Sequence, residues 1–298
     1  MTAAPVITAL PVPSFASSFD DGEETGPPAS WLLYGDTGTG KTEATGRLVK
    51  AGFFQKVVII NLDRSTEVLA LDPEIKAALH DGRISIKTID EFDPTAMQQV
   101  ESILLELAGM WRDPSGHILS NPNIPNFGFD LVVIDTVNLL GEIAIKWLKA
   151  NTYNDKGTAL DGLKAYGKFS VWMNEMVRLV HNSNRFVGGF VMHEKTYEEK
   201  TGATKVKPKM EGAFKDSLPS IPSLVAHLDW EKDPAGGPED VLTATVGKSS
   251  LFSTKNRYNL GPKIHNFDLA DTYREIYTKI GLPLPAAAAT PTPVAVAA

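Results

Sequence analysis

The apolar positions of the chain fall into short runs separated by stretches of helical character. Trp31-Leu32-Leu33-Tyr34 is a continuous apolar run ending in a glycine-rich turn, and it predicts a buried strand. Lys41 to Ala51 predicts a helix. Val57-Val58-Ile59-Ile60 is β-branched throughout, as a strand covered on both faces should be. Ile84-Ser85-Ile86-Lys87-Thr88-Ile89 alternates and predicts a strand with one face less buried. Asp93-Pro94 supplies the N-cap and first position of a helix running to about Trp111. Asp130-Leu131-Val132-Val133-Ile134-Asp135 and Phe186 to Met192 predict two more buried strands. Helices are predicted over Leu139–Ala150 and Leu163–Asn182, strands over Val225–Trp230 and Val241–Val246, and an amphipathic helix over Leu269–Ile280. Strands alternating with helices predict an α/β fold, a mostly parallel twisted sheet with helices on both faces. In such folds ligands bind at the carboxyl ends of the strands.

Both ends depart from this pattern. Residues 1–29 mix Ala, Pro and Ser with the acidic cluster Asp20, Asp21, Glu23 and Glu24, and residues 283–298 are rich in Pro and Ala. They predict a flexible arm and a disordered tail around a core at 30–282. The start of the chain lacks the basic region of a signal peptide, and no apolar run reaches the roughly 20 residues of a membrane helix. The expectation is a cytoplasmic protein without a membrane partner.

Composition narrows the chemistry. The 298 residues contain no cysteine, which excludes disulfides, thiolate catalysis and Cys-ligated metals. The net charge of −7 argues against a generally basic, nucleic-acid-coating surface. Part of that excess lies in residues 1–29, which hold four carboxylates and no Lys or Arg.

Gly35-Asp36-Thr37-Gly38-Thr39-Gly40-Lys41-Thr42 matches G-x-x-x-x-G-K-[ST] at every position, with a strand before it and a helix after it. Glycines let such a loop curl until successive backbone N–H groups form an anion nest. The helix start adds its positive dipole end. Lys41 is the candidate for the β- and γ-phosphates, and Thr42 for Mg²⁺. Asp135 ends a buried strand, where a carboxylate is costly unless a metal shell or an N-capping role offsets its desolvation. Paired with the complete phosphate loop, it reads as the second Mg²⁺ residue.

Hydrolysis also needs a group that orients water. Asp63 follows the strand Val57–Ile60 on the same predicted sheet edge and is the first candidate base. Glu67 is one turn later, and Asp90, Glu91 and Asp93 follow the next strand. His193 follows the strand Phe186–Met192, at a tip where a polar side chain can sense a γ-phosphate.

Together YGDTGTGKT, VVIINLD, LVVIDTVNLL, GGFVMHEK and STKNRYN, in that order, resemble the RecA-like P-loop ATPases over residues 30–262. In size and arrangement the chain is most similar to the core-only recombination and single-strand-annealing proteins of phages. The resemblance implies a RecA-like P-loop NTPase fold, ATP and Mg²⁺ as cofactors, DNA-stimulated hydrolysis and, for a phage protein, the host cytoplasm. It implies Asp63 as catalytic carboxylate, where the family usually has Glu, and His193 as γ-phosphate sensor, where the family often has Gln. Lys255-Asn256-Arg257-Tyr258 resembles a Lys-x-Arg element whose cations enter the neighbouring subunit's site. That implies a ring or filament of identical subunits.

RecA-like proteins carry a mobile DNA-binding loop after the sensor strand. Here residues 195–209 hold Lys195, Lys200, Lys205, Lys207 and Lys209 against Glu198 and Glu199, with Tyr197 available to stack on a base. The implied partner is single-stranded DNA, with a single-strand-binding protein as an accessory partner. A second candidate loop runs from Trp147 to Gly167, with Lys146, Lys149, Lys156, Lys164 and Tyr153. Its Trp147 and Tyr166 read more readily as helix-packing residues. Three activities fit this pattern. They are annealing or strand exchange, a ring-forming helicase or branch-migration ATPase, and a nucleotide-dependent assembly protein that never touches DNA.

Overall fold

The computed structural model describes residues 28–151, 162–199 and 202–285. Most of the acidic arm 1–29 and of the tail 283–298, together with Tyr153, Lys156 and Lys200, lie outside the described residues.

The chain begins with β1 (Ser30–Gly35), α1 (Lys41–Lys50) and β2 (Val57–Asn61). A 3₁₀ segment (Ser65–Leu71) and α2 (Pro73–His80) lead to β3 (Ile84–Thr88) and α3 (Ala96–Ala108). A small hairpin, β4 (Met110–Arg112) and β5 (Ile118–Ser120), precedes β6 (Leu131–Asp135), α4 (Val137–Asn151) and α5 (Gly162–His181). Then come β7 (Val187–Glu198), β8 (Thr204–Pro208), the short α6 (Phe214–Ser217) and β9 (Leu224–Lys232). The remaining elements are β10 (Asp240–Thr245), β11 (Lys255–Asn256), β12 (Lys263–His265) and α7 (Leu269–Lys279).

The main sheet runs in the order β12-β10-β9-β1-β7-β6-β2-β3, with β11 on β9 and β8 on β7. From β9 to β3 every pairing is parallel. Strand β7 lies between β1 and β6, so the strand that carries Asp135 is not adjacent to the strand of the phosphate loop. This order is that of a RecA-like P-loop NTPase sheet.

Each face of the sheet has its own core. Leu32, Tyr34, Val58, Ile60, Val132, Ile134, Phe190 and Met192 pack under α3, α4 and α5. Trp31, Leu33, Val57, Ile59, Leu131, Val133 and Val191 pack under α1, α2 and α7. Alternate residues of one strand therefore serve opposite cores, which is why these strands read as unbroken apolar runs.

Three expectations change. The helix expected from Asp93 begins only at Ala96 and ends at Ala108. The Asp93 carboxylate accepts from Thr95 N and Oγ1 at 2.7 Å each, which makes a tight turn before the helix. Gly109, with φ 70°, then ends it in a left-handed cap, and Met110–Arg112 becomes a strand. The predicted strand at 84–89 is the sheet edge, where Ser85 to Thr88 are exposed or half-exposed and Ile84 and Ile89 are buried. The expected flexible loop at 195–209 is instead a hairpin, β7 paired antiparallel with β8 from Glu194↔Pro208 to Glu198↔Thr204. Its β-branched Thr196, Thr204 and Val206 suit strand geometry, and Lys content did not reveal that.

Candidate nucleotide-binding site

β1 ends at Gly35, where the chain turns into the loop 36–40 before α1 begins at Lys41. Gly35 is required by the sheet. A Cβ there would lie 2.3 Å from the Leu228 carbonyl oxygen on β9. Gly38 and Gly40 hold φ of 83° and 70°, left-handed values that curl the loop.

The Lys41 ammonium is buried within that curl. It donates to Gly35 O at 3.1 Å, Asp36 O at 2.6 Å and Thr39 Oγ1 at 3.1 Å. Burial lowers its pKa, and nearby Asp135, Asp36, Glu194 and Asp63 act in the opposite direction. Two carbonyl oxygens and one hydroxyl hold the charge inside the loop.

Residues 93 positions apart meet at the next step, where Thr42 Oγ1 donates to Asp135 Oδ2 at 2.6 Å. Asp135 is 1% exposed, and burial pushes its carboxyl up to about 7 against the opposing Thr42 hydrogen bond. Its Oδ1 is buried without a hydrogen-bond partner. An orphaned carboxylate oxygen next to a hydroxyl is a hard-oxygen pair that fits Mg²⁺. A Mg²⁺ ion at that pair would supply charge neutralisation between phosphate oxygens.

Thr37, Gly38, Lys41, Thr42, Asp63, Ser65, Asp135, Val191 and His193 line one cavity of about 270 Å³. Of the expected carboxylate candidates for the base, Asp63 lines it. Glu67 is exposed outside it, Asp90 lies 3.9 Å from Arg64, and Glu91 and Asp93 line a separate groove with Phe92 and Trp147. Asp63 is held by a small network. Its Oδ1 accepts from Ser65 N at 3.0 Å, and the buried Asn61 accepts from Arg64 N and donates to Thr66 Oγ1. Arg64 adopts φ 61°, so the turn bends sharply at the residue after Asp63.

His193 is half-buried. Burial lowers its pKa, and Lys41 adds to the effect. Its N–H donates to Asn138 Oδ1 at 3.1 Å, and its carbonyl accepts from Lys209 N at 2.7 Å. The sequence reading missed Asn138. Its position one turn after Asp135 in a buried helix start was the available signal. It also missed Glu43, which borders the cavity and pairs with Arg47 at 2.8 Å.

A family model described as an AAA domain matches residues 28–258. The chain belongs to the AAA-domain family. This family match and the phosphate loop at the carboxyl edge of the sheet make it an AAA-domain P-loop protein. A comparison with curated proteins gives no match. Three solved structures share low identity with it. The flagellar accessory protein FlaH from Methanocaldococcus jannaschii is 9% identical, covering 80% of this chain and 85% of its own, with a TM-score of 0.40. The RadB recombinase is 14% identical, covering 74% and 80%, with a TM-score of 0.39. An ATPase of the type III secretion system of pathogenic bacteria is 12% identical, covering 67% and 51%, with a TM-score of 0.38. The present chain spans about half the length of that last protein.

The other expected residues lie away from the cavity. Lys255 and Arg257 sit near the amino end of β9, since Lys255 pairs with Val225 while the loop strand ends opposite Leu228. Lys255 is half-buried and donates to Ser220 O at 2.6 Å, whereas Arg257 is exposed. Neither faces this chain's own phosphate loop. In the hairpin, Lys207 lies 3.0 Å from Asp216, Lys209 3.2 Å from Glu142, Lys205 3.9 Å from Glu199 and Lys195 4.0 Å from Glu211. Tyr197 donates to Met210 O at 3.1 Å and lies under Lys215. Trp147 packs on the core, and Tyr166 meets Phe169 edge-on, as helix-packing residues do. Among the described residues, no helix is long and apolar enough to cross a membrane.

Proposed function

We propose that this AAA-domain protein is a Mg²⁺-ATP-dependent, RecA-like recombination protein that binds single-stranded DNA and promotes annealing or strand exchange. The observation that carries the reading is the continuity of β7. One strand runs from the cavity wall at Val191 and His193 into the lysine-bearing hairpin. A shift of His193 would therefore move the hairpin directly.

In this reading Lys41 holds the β- and γ-phosphate oxygens, with the nest of Gly38 to Gly40 around them. Thr42 and Asp135 hold the metal. Asp63, facing the cavity, accepts a proton from the attacking water and orients it. His193 donates to a γ-phosphate oxygen and reports its loss. Lys195, Lys200, Lys205, Lys207 and Lys209 neutralise DNA phosphates, and Tyr197 supports them through the hairpin. Lys255 and Arg257 belong to an interface where Arg257 reaches the next subunit's site in a ring or filament, in a phage-encoded protein working in the host cytoplasm.

ATP turnover measured with and without single-stranded DNA, wild type against Lys41→Ala, tests this. Stimulation by DNA that vanishes with Lys41→Ala supports it. Turnover indifferent to DNA favours the second reading, a nucleotide-dependent assembly protein with protein partners. A specific observation favours that alternative: the four described hairpin lysines named above already face carboxylates. Fuel-dependent strand displacement separates a ring helicase from both.

A further inference from the structure

β1 stops at Gly35, flanked by His193 of β7 on one side and Leu228 of β9 on the other. Beyond that point the chain leaves the sheet as the phosphate loop. β7 and β9 then continue with no strand between them among the described residues. The gap is closed by side chains, with Glu194 Oε2 2.6 Å from His227 Nε2.

His227 is 2% exposed. Its ring stacks on Phe252 at 3.9 Å and 15° and tilts against Tyr34 at 5.0 Å. A leucine could fill this space with less desolvation. What the polar pair adds is direction, since a hydrogen bond fixes one side chain relative to the other.

We propose that Glu194 and His227 are positioning residues that hold His193 against the nucleotide cavity by bridging β7 to β9 over the end of the loop strand. The inference rests on reading that cavity as an ATP-hydrolysis site. Strand alternation gives the geometry. Glu194 shares its sheet face with Met192, and His193 shares the opposite face with Val191, which lines the cavity. The bridge grips β7 from behind while His193 works in front. Three anchors then converge on two consecutive residues. Asn138 of α4 binds the His193 N–H, Lys209 binds its carbonyl, and His227 of β9 binds the next side chain. Asn138 lies one turn beyond Asp135, so the same anchors tie His193 to the metal-binding strand.

The test is a double-mutant cycle on ATP turnover, with nucleotide affinity measured in parallel by a fluorescent ATP analogue. His227→Leu should lower kcat about 10-fold while affinity stays within about two-fold, because the loop and Lys41 are untouched. His193→Ala should lower kcat as well, and adding His227→Leu to it should cost nothing further. His227→Gln, which keeps a donor for Glu194, should recover part of the rate. Additive losses in the double mutant, or a loss of affinity that accounts for the rate, would overturn the proposal. If His227→Leu does not fold, Glu194→Ala carries the same cycle. A wild type without turnover would sink the hydrolysis reading alone. The proposal is then judged on the His193 ring signals in NMR, identified by their loss in His193→Ala. They must shift in His227→Leu, and unchanged signals refute it.

Discussion

At Asp135, burial and charge oppose each other. The carboxyl sits in the apolar sheet with one oxygen satisfied by Thr42 and the other unpartnered. Asp135→Asn keeps a side chain of the same shape and removes the buried charge. It should stabilise the nucleotide-free protein by about 1–2 kcal/mol at neutral pH and above, read from denaturant unfolding. The same change should cost about 10²-fold or more in Mg²⁺-dependent turnover. His181 offers a pH test. Burial, reinforced by Lys255 and Arg178, holds its pKa below the usual value, and its Nδ1 lies 2.8 Å from Ser30 Oγ. The unfolded chain takes up a proton below about pH 6.5 that the folded protein refuses. Stability from this group is complete above that value and is lost as pH falls through the depressed folded pKa. The slope is at most about 1.4 kcal/mol per pH unit. His181→Gln should flatten the stability profile between pH 7 and pH 5, measured by guanidinium unfolding.

At the scale of elements, the phosphate loop was legible because its chemistry is local. Eight consecutive residues, the strand before and the helix after carry the whole motif. Even so, Gly35 turned out to serve the sheet. Gly35→Ala places a methyl group against the Leu228 carbonyl, and should destabilise the fold by about 2–3 kcal/mol or more, measured by thermal unfolding. The hairpin was not legible in the same way. Its lysines suggested a solvated loop, whereas its strand pairing depends on β7 continuing past the sheet. Neutralising Lys205, Lys207 and Lys209 together should weaken single-stranded DNA binding and reduce its salt dependence by about two to three ions, measured by anisotropy titration at several salt concentrations. An unchanged salt slope would remove the hairpin from the DNA interface.

At the scale of the whole molecule, the separation of Arg257 from its own phosphate loop makes a prediction about assembly. If Arg257 serves a neighbour, Arg257→Ala should lose turnover while retaining nucleotide affinity. Mixing it with Lys41→Ala should restore part of the activity, because some interfaces then combine an intact loop with an intact arginine. Failure of the mixture to exceed the sum of its parts would remove Arg257 from the neighbour's site. The net charge of −7 is compatible with this picture. Acidic residues surround the hairpin lysines, so nucleic acid must compete with Glu142, Glu199, Glu211 and Asp216 for them.

The sequence by itself determined the strand and helix alternation, the phosphate loop with Lys41 and Thr42, and Asp135 as their distant counterpart. These follow from apolar periodicity and from a motif whose parts are adjacent in the chain. Tertiary structure alone decided which carboxylate faces the cavity. Asp63, Glu67, Asp90, Glu91 and Asp93 are alike in sequence and differ only in where their turns point. It also decided that Asn138 and Glu194 brace His193, since their partners come from strands and helices distant in the chain. Contacts between remote segments depend on strand order and register. Those are set by how two separate cores bury the faces of one sheet, and no local pattern records them.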